Sequence, residues 1–263
     1  MYATTADDSS AITPTRRKPK AAYAAAISAV ALRWMAAWAL ALLTLWTLSR
    51  AVLVSISAER WNWGDLPQLL GIGLRVDLIG MGVMLSLPIL LWPLLSRPMT
   101  APLWWRISRL WLGGLAIAAA VLEVATPTFL AEYESRPNHL AVEYLRELDS
   151  VLPMLWTGFR VPLLLGISVL VAGAFWWLRW VRNTAPQWTR ATWSVLLLWP
   201  LLLGTDALLI RSSIDHRPAN PAMFARWSDQ LLNQLALNSS YSFGYAVYAQ
   251  RHERSAAGVY GKL

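Results

Sequence analysis

The sequence contains no cysteine and few charged residues, and these two absences narrow the classes of protein to which it can belong. Without cysteine the chain forms no disulfide, holds no metal through thiolates and has no cysteine nucleophile. Only 14% of its 263 residues are charged, whereas 56% are hydrophobic. Soluble domains carry about 25% charged residues. The composition therefore predicts a membrane protein with several spans.

Catalytic and metal-binding motifs are also missing. The three histidines, His139, His216 and His252, lie far apart and match no metal-ligand spacing. The sequence has no glycine-rich phosphate loop and no nucleophile elbow. The net charge of +8 would suit nucleic acid, but basic residues in a membrane protein first set its orientation. We therefore expect no catalytic centre, no metal site or cofactor within this chain, and no nucleic-acid partner.

Long apolar runs define the predicted fold. A helix needs about 20 mostly apolar residues to cross a hydrocarbon core about 30 Å thick. Five runs meet this requirement, at residues 34–57, 70–95, 104–130, 153–178 and 191–211. The prediction is an all-α, polytopic membrane bundle of five transmembrane helices over residues 34–211. Residues 1–33 form a basic segment before it, and residues 212–263 form a connector after it.

The distribution of charge predicts the orientation. If the N-terminus is cytoplasmic, the inside segments hold eleven arginine and lysine residues against five in the two outside loops between spans, and their only acids are Asp7 and Asp8. The outside loops are acidic, above all the stretch FLAEYESRPNHLAVEYLRELDSVLP at residues 129–153. After five spans, the connector also lies outside. Most of the 17 tryptophans, among them Trp38, Trp92, Trp104 and Trp105, fall near predicted inner ends, which is typical of interfacial anchors.

We assign five ionisable residues to the membrane interior: Arg50, Arg75, Asp77, Glu123 and Asp206. Counted from the outer helix ends, all five share one depth, within roughly 10 Å of the outer hydrocarbon boundary. Isolated charges there are costly, so we expect them to pair inside the bundle. Arg75 and Asp77 are two residues apart on one helix, so each should reach a different neighbour. Two interpretations stay open: a network that fixes helix packing, or a recess in which Arg50 or Arg75 meets a lipid phosphate.

The connector has a different composition from the spans. Apolar residues recur at helical spacing after a proline-marked loop: Phe224, Trp227, Leu231 and Leu235, and later Tyr241, Tyr245 and Tyr248. The polar residues between them make the segment too amphipathic to cross a membrane. We expect an extracytoplasmic amphipathic helix that lies on the outer surface or docks on a neighbouring domain.

Three stretches together resemble a known family: GLRVDL at 73–78, EYESRPNHLAVEYL at 132–145 and LLNQLALNSSYSFGYAV at 231–247. In their order and spacing they resemble the membrane half of bacterial lipoteichoic acid synthase-type phosphoglycerol transferases, of the alkaline phosphatase and sulfatase superfamily. The resemblance covers the chain from Arg50 to Leu263. The matching positions are Gly73, Leu74, Arg75, Asp77, Arg136, Asn138, Glu143, Tyr144, Leu145, Asn233, Leu235, Leu237, Asn238, Tyr241 and Ser242.

This resemblance implies a function. Such proteins have five N-terminal spans, a connector and a large extracytoplasmic domain with a threonine nucleophile and a divalent cation, usually manganese. They transfer glycerol phosphate from phosphatidylglycerol at the outer face of the bacterial inner membrane. No threonine nucleophile or metal ligand can be carried over to this chain. It would therefore anchor and position a catalytic domain that lies outside it, in cis or on a separate chain.

The resemblance also implies how the anchor would couple to that domain. The external loop and the connector would meet through Arg136, Asn138, Glu143 and Tyr144 on the loop and Asn233, Asn238 and Tyr241 on the connector. Three alternatives stay open. The chain could anchor a phosphoethanolamine transferase of the same superfamily, or it could be a membrane scaffold without catalysis. The third alternative is a transporter, although no internal repeat in the sequence supports it.

Overall fold

The computed structural model describes residues 20–182, 193–213 and 219–260. The first 19 residues of the predicted basic segment, the start of the predicted fifth span and parts of the connector lie outside these ranges. Within them, all regular structure is helical. Four helices are long and apolar enough to cross a membrane, over Ser28–Ile56, Leu66–Leu90, Ala101–Tyr133 and Arg160–Arg179.

The structure describes nine α-helices within the ranges given above. In chain order they are α1 (Lys20–Ile56), α2 (Leu66–Leu90), α3 (Ala101–Tyr133), α4 (His139–Tyr144), α5 (Leu148–Gly158), α6 (Arg160–Arg182), α7 (Trp193–Arg211), α8 (Gln230–Ala236) and α9 (Ser239–Tyr260). Two 3₁₀ turns, at Trp92–Ser96 and Pro221–Phe224, follow α2 and precede α8.

Proline and glycine set the helix boundaries that the apolar runs did not predict. The predicted span 70–95 ends early, at Leu90, and a 3₁₀ turn with Pro93 near its start follows. The predicted span 153–178 is split into α5 and α6, with non-helical backbone at Phe159. Pro162 accounts for this break, because its ring excludes the carbonyl of Gly158 from a continuous helix. The apolar character of the run 153–178 could not by itself predict this break.

Glycines allow two pairs of helices to pack closely. A Cβ atom on Gly113 of α3 would lie 2.0 Å from the indole nitrogen of Trp177 on α6. That nitrogen donates a hydrogen bond of 3.0 Å to the carbonyl of Arg109. Between α2 and α7, Gly82 makes room for Leu209 and Ile210 in the same way. The absent side chains let these helices approach closely, as is common between membrane helices.

Several tryptophans form the core instead of the predicted interfacial anchors. Trp46, Trp92 and Trp104 are at most 1% exposed. Trp34, Trp92 and Trp105 all make edge-on ring contacts with Trp104. The indole nitrogens of Trp92 and Trp104 donate to backbone carbonyls of Val195 and Pro88. Backbone acceptors therefore let these large side chains be buried where interfacial positions were predicted.

The predicted single amphipathic helix of the connector is interrupted. Phe224 lies in a 3₁₀ turn, Trp227 in a loop, and the later apolar residues in α8 and α9. Leu237 has extended backbone and Asn238 caps α9, which separates the two helices. Leu231 and Leu235 pack in a buried cluster with Leu53, Leu69 and Leu130 of the long helices. The segment is therefore part of the bundle core at this end, which we call the α8 end.

Candidate functional site: a buried ion-pair joint

Two buried ion pairs lie at the α8 end, and the first joins α1 to α2. Both terminal nitrogens of Arg50 donate to the Asp77 carboxylate, at 2.7 and 2.9 Å. The two side chains are only 3% and 1% exposed. One nitrogen also donates to the carbonyl of Gly73 at 3.3 Å. A Cβ atom on Gly73 would lie 2.5 Å from the central carbon of the guanidinium, so glycine is what admits this two-point pair.

The second pair joins α3 to the loop that follows it. Arg136 donates to Glu123 at 3.1 Å, and the two side chains are 1% and 4% exposed. Glu123 also accepts from the hydroxyl of Ser49 and from the backbone N–H of Ser239. Burial lowers the pKa of Arg136 and the nearby Glu123 opposes this shift. An arginine starts so far above neutral pH that it stays charged.

The connector closes both pairs. The side-chain amide nitrogen of Asn238 donates to Asp77 at 2.9 Å. Its side-chain oxygen Oδ1 accepts from the backbone N–H of Tyr241 and caps α9. Arg136 donates to the hydroxyl of Ser239 at 2.9 Å and to the carbonyl of Gln234 at 2.7 Å. We call the six residues that meet here the ion-pair joint: Arg50, Asp77, Glu123, Arg136, Asn238 and Ser239.

The joint satisfies polar groups that a helix end leaves open. The last carbonyls of a helix have no partner within it, and cations are favourable there. Arg136 takes this place at the end of α8, where it reaches the carbonyls of both Gln234 and Leu235. The arrangement holds elements together, and the Ser239 hydroxyl within it is bonded to Thr126 and Arg136. The hydrogen bonds and ion pairs of the joint form a rigid connection between the bundle and the connector.

The other two predicted charges lie apart from the joint. Arg75 donates to the hydroxyl and carbonyl of Ser212 and packs over the Phe224 ring, so Arg75 and Asp77 do reach different neighbours. Asp206 departs from the predicted common depth. The residues one turn after it, Leu209 and Ile210, meet Gly82, five positions beyond Asp77 on α2. This places Asp206 roughly 10 Å further from the α8 end than Asp77.

The predicted lipid recess conflicts with the burial of Arg50. Its guanidinium is enclosed and paired with Asp77, so contact with a lipid phosphate would require the pair to open. Asp206 is also buried, and its Oδ1 atom has no hydrogen-bond partner among the described residues.

The predicted coupling residues take different places. Asn138 stays local, where it caps α4 at Leu140 and donates to Ser135. The hydroxyl of Tyr144 bonds that of Tyr133 at 2.6 Å, and Glu143 is exposed on α4. Asn233 bonds the backbone of Trp227 and shapes the loop before α8. Tyr241 reaches the carbonyl of Ala219 and sets its ring edge-on to Phe224. Within the described ranges, Arg136 is the one of these predicted loop residues that bonds the connector.

Sequence reasoning missed the hydroxyl and amide groups that complete the joint. Ser49, Thr126, Gln234 and Ser239 all bond within it or beside it. No spacing pattern marks them, because their partners lie on other helices. Asn238 was not missed, because the resemblance already named it, and asparagine is also among the residues that helix N-caps prefer.

A second, exposed clasp holds the connector at the rim. Arg60 pairs with Asp229 at 2.9 Å, and the indole of Trp227 donates to Asp65 at 2.9 Å. The Arg60 hydrogen bond lowers the pKa of Asp229. The pKa of Asp65 is also lowered, first by the backbone N–H of Asn62 and then by Trp227.

Neither a search for grouped metal ligands nor a comparison with known proteins assigns a function to the site. In the part of the chain that the structure describes, no three His, Asp or Glu side chains are grouped so as to hold a metal ion. No protein-family model and no solved structure matches this chain.

Proposed function

We propose that this chain is the membrane anchor of an extracytoplasmic phosphoglycerol transferase-type domain, which it holds in a fixed position over the lipid surface. In this proposal α1, α2, α3, α6 and α7 cross the bacterial inner membrane and the α8 end faces outwards. The catalytic domain, with its manganese or other divalent cation, lies in cis beyond the connector or on a separate chain. Phosphatidylglycerol is the donor lipid.

The observation that carries the proposal is the ion-pair joint. A helix that merely rests on a membrane is held by apolar burial and needs no buried charge. Buried ion pairs add little stability over apolar packing, but they tolerate few alternative arrangements. Here they fix the connector to three long helices at once. A connector fixed in this way would hold an attached domain at a constant distance from the lipid headgroups.

The length and packing of α7 support a fifth span. Its 19 residues extend about 28 Å, close to the thickness of a hydrocarbon core. The indole of Trp199 donates to the carbonyl of Ile89 at 2.9 Å, which joins α7 to the far end of α2. With five spans, the connector would lie on the face opposite to the N-terminus.

The test is transfer of labelled glycerol phosphate from phosphatidylglycerol in native membranes, with and without the chain. We expect membranes that lack the chain to lose transfer and to regain it when the wild-type chain is restored. Arg136→Ala leaves Glu123 buried without its partner, which costs about 3–5 kcal/mol. This variant should reach the membrane and restore only a small part of the transfer. Arg226→Ala removes an exposed arginine from the same connector and should restore transfer fully.

Four results would contradict the proposal. Full transfer without the chain, or full rescue by Arg136→Ala, would remove the role of the joint. Loss of phosphoethanolamine transfer from labelled phosphatidylethanolamine, with phosphatidylglycerol unaffected, would assign the anchor to that reaction. An antibody against residues 129–153 that detects only a 29.4 kDa product without associated transferase activity would favour a scaffold without catalysis.

A further inference from the structure

Helices α3 and α6 separate towards the α8 end and leave an apolar groove between them. They are in close contact deeper in the bundle, where Trp177 fits against Gly113 and Ile117 against Gly173. Beyond this contact a cavity of about 350 Å³ opens. Its lining is apolar except for Thr128 and Tyr144. The α5 helix and the end of α4 cover its upper part through Leu145, Leu148 and Val151.

The dimensions of this groove match one acyl chain. Its lining runs from Phe159, directly before α6, to Leu170 on α6, and the eleven steps of about 1.5 Å between them extend about 16 Å. This length equals about half of a hydrocarbon core that is about 30 Å thick, which is the depth of one leaflet. The groove also reaches the α8 end of the bundle, where the headgroups of that leaflet would lie.

A polar cleft lies on the other side of α4. It has a volume of about 580 Å³ and is lined by α4, the loop before it, α8 and α9. Arg146 and His139 bring cationic or hydrogen-bonding groups to it, Glu143 a carboxylate, and Gln234 an amide. Ser242 is only 8% exposed, and its hydroxyl has no hydrogen-bond partner among the described residues. The side-chain oxygen of Gln250, also on the cleft wall, is buried without a partner in the same part of the chain.

The two cavities approach each other at consecutive residues. Pro137 lines the groove and Asn138 the cleft, while Ser242 lines the cleft and Phe243 the groove. A molecule with an apolar tail and a polar head could therefore place one part in each. Buried polar groups in proteins are nearly always hydrogen-bonded. The unpartnered oxygens of Ser242 and Gln250 therefore indicate a ligand with polar groups in the cleft, and the apolar groove beside it suits the tail of the same molecule.

We infer that this region binds a glycerophospholipid, with one acyl chain in the groove and the headgroup in the cleft. Arg146 binds the phosphate, since a guanidinium matches an oxyanion in charge and geometry. Ser242, Gln250 and Glu143 bond the hydroxyl or amino group of the head. The site differs from the predicted recess at Arg50 and Arg75. It rests on the membrane location proposed above, but not on any transferase activity.

The test compares two glycines at which a Cβ atom would meet only open space: Gly166 inside the groove and Gly204 on an exposed part of α7. The full chain is incorporated into vesicles of phosphatidylglycerol and phosphatidylethanolamine, re-extracted in detergent, and assayed for retained phospholipid by mass spectrometry. We expect the wild type and Gly204→Phe to retain a bound phospholipid. Gly166→Phe fills the groove and should lower its retention about tenfold.

The headgroup assignment has its own pair of variants. Arg146→Gln removes the charge from the cleft and should lower retention roughly tenfold, whereas Arg226→Gln removes an exposed charge elsewhere and should leave it unchanged. Retention by Gly166→Phe at the wild-type level would overturn the acyl-chain site. Equal retention by the two arginine variants would overturn the headgroup site. A wild-type chain that does not sediment with the vesicles would instead overturn the proposed membrane location.

Discussion

Two buried arginines determine how the charged residues of this protein are arranged. Arg50 uses both terminal nitrogens on one carboxylate, and Arg136 spreads its donors over Glu123, Ser239 and the end of α8. A lysine could not serve in either place, because its single ammonium group cannot form a planar two-point contact. Both positions therefore require the guanidinium group of arginine and not only a positive charge.

Gly73 offers a test of the first pair. Gly73→Ala would force the Arg50 guanidinium away from Asp77, because the new methyl group would occupy its present position. A separated buried pair costs about 3–5 kcal/mol, and we expect the variant to lose stability on that scale. Gly71→Ala has open space and should be neutral or gain up to about 1 kcal/mol. Equal thermal unfolding midpoints for the two variants in detergent would contradict the prediction.

The exposed clasp should make the connector sensitive to acid. Asp65 and Asp229 have lowered pKa values in the folded protein. Their contribution to stability is therefore present above their ordinary pKa of about 3.9 and is lost as the pH falls through the lower folded values. We expect the unfolding midpoint to fall below about pH 4 and the fall to be smaller in the double variant Asp65→Asn, Asp229→Asn. An identical pH profile for the variant would exclude the clasp as the cause.

At the scale of elements, the contact between α3 and α6 depends on one missing side chain. Gly113→Ala would press a methyl group into the Trp177 ring and should cost about 1–3 kcal/mol. Gly114, the next residue, has nothing within 4 Å of a Cβ position. Gly114→Ala is therefore the matched control and should not destabilise the protein. Circular dichroism on heating in detergent would compare them, and a stable Gly113→Ala variant would show that the contact can move.

The sequence predicted the helical class and the approximate place of the long helices, because apolar runs long enough to span a membrane are unambiguous. It failed where one residue interrupts a run, as Pro162 does between α5 and α6. It also failed for the tryptophans of the core, because their distribution along the chain is the same whether they face lipid or each other. Trp92 and Trp104 are buried through bonds to distant carbonyls that no periodicity encodes.

At the scale of the whole molecule, the joint could be predicted only in part. The cost of an isolated charge implies that Arg50 and Asp77 pair with something, and their common depth makes them candidates for each other. The partner of Glu123 was harder to predict, because Arg136 lies outside the predicted span. The role of Asn238 depends on a contact across 161 positions of sequence, which only the folded chain creates.

The proposed orientation can be tested because the chain has no cysteine of its own. Glu59 and Met99 are both exposed and lie in the connections at opposite ends of α2. In cells, Glu59→Cys should react with a membrane-impermeant maleimide added from outside. Met99→Cys should react only after the membrane is opened. The reverse pattern would place the α8 end in the cytoplasm.

The order of synthesis gives the joint a further consequence. A ribosome delivers Arg50 and Asp77 first, then Glu123 and Arg136, and Asn238 and Ser239 last of the six. Each pair of charges can therefore be neutralised soon after its helices enter the membrane, which reduces the cost of inserting them. The remaining bonds to Asp77 and Glu123 form last, when the connector emerges. Insertion of the helices and completion of the joint are thus separate steps, and a bundle whose connector has not yet been made already holds its ion pairs but not its finished α8 end.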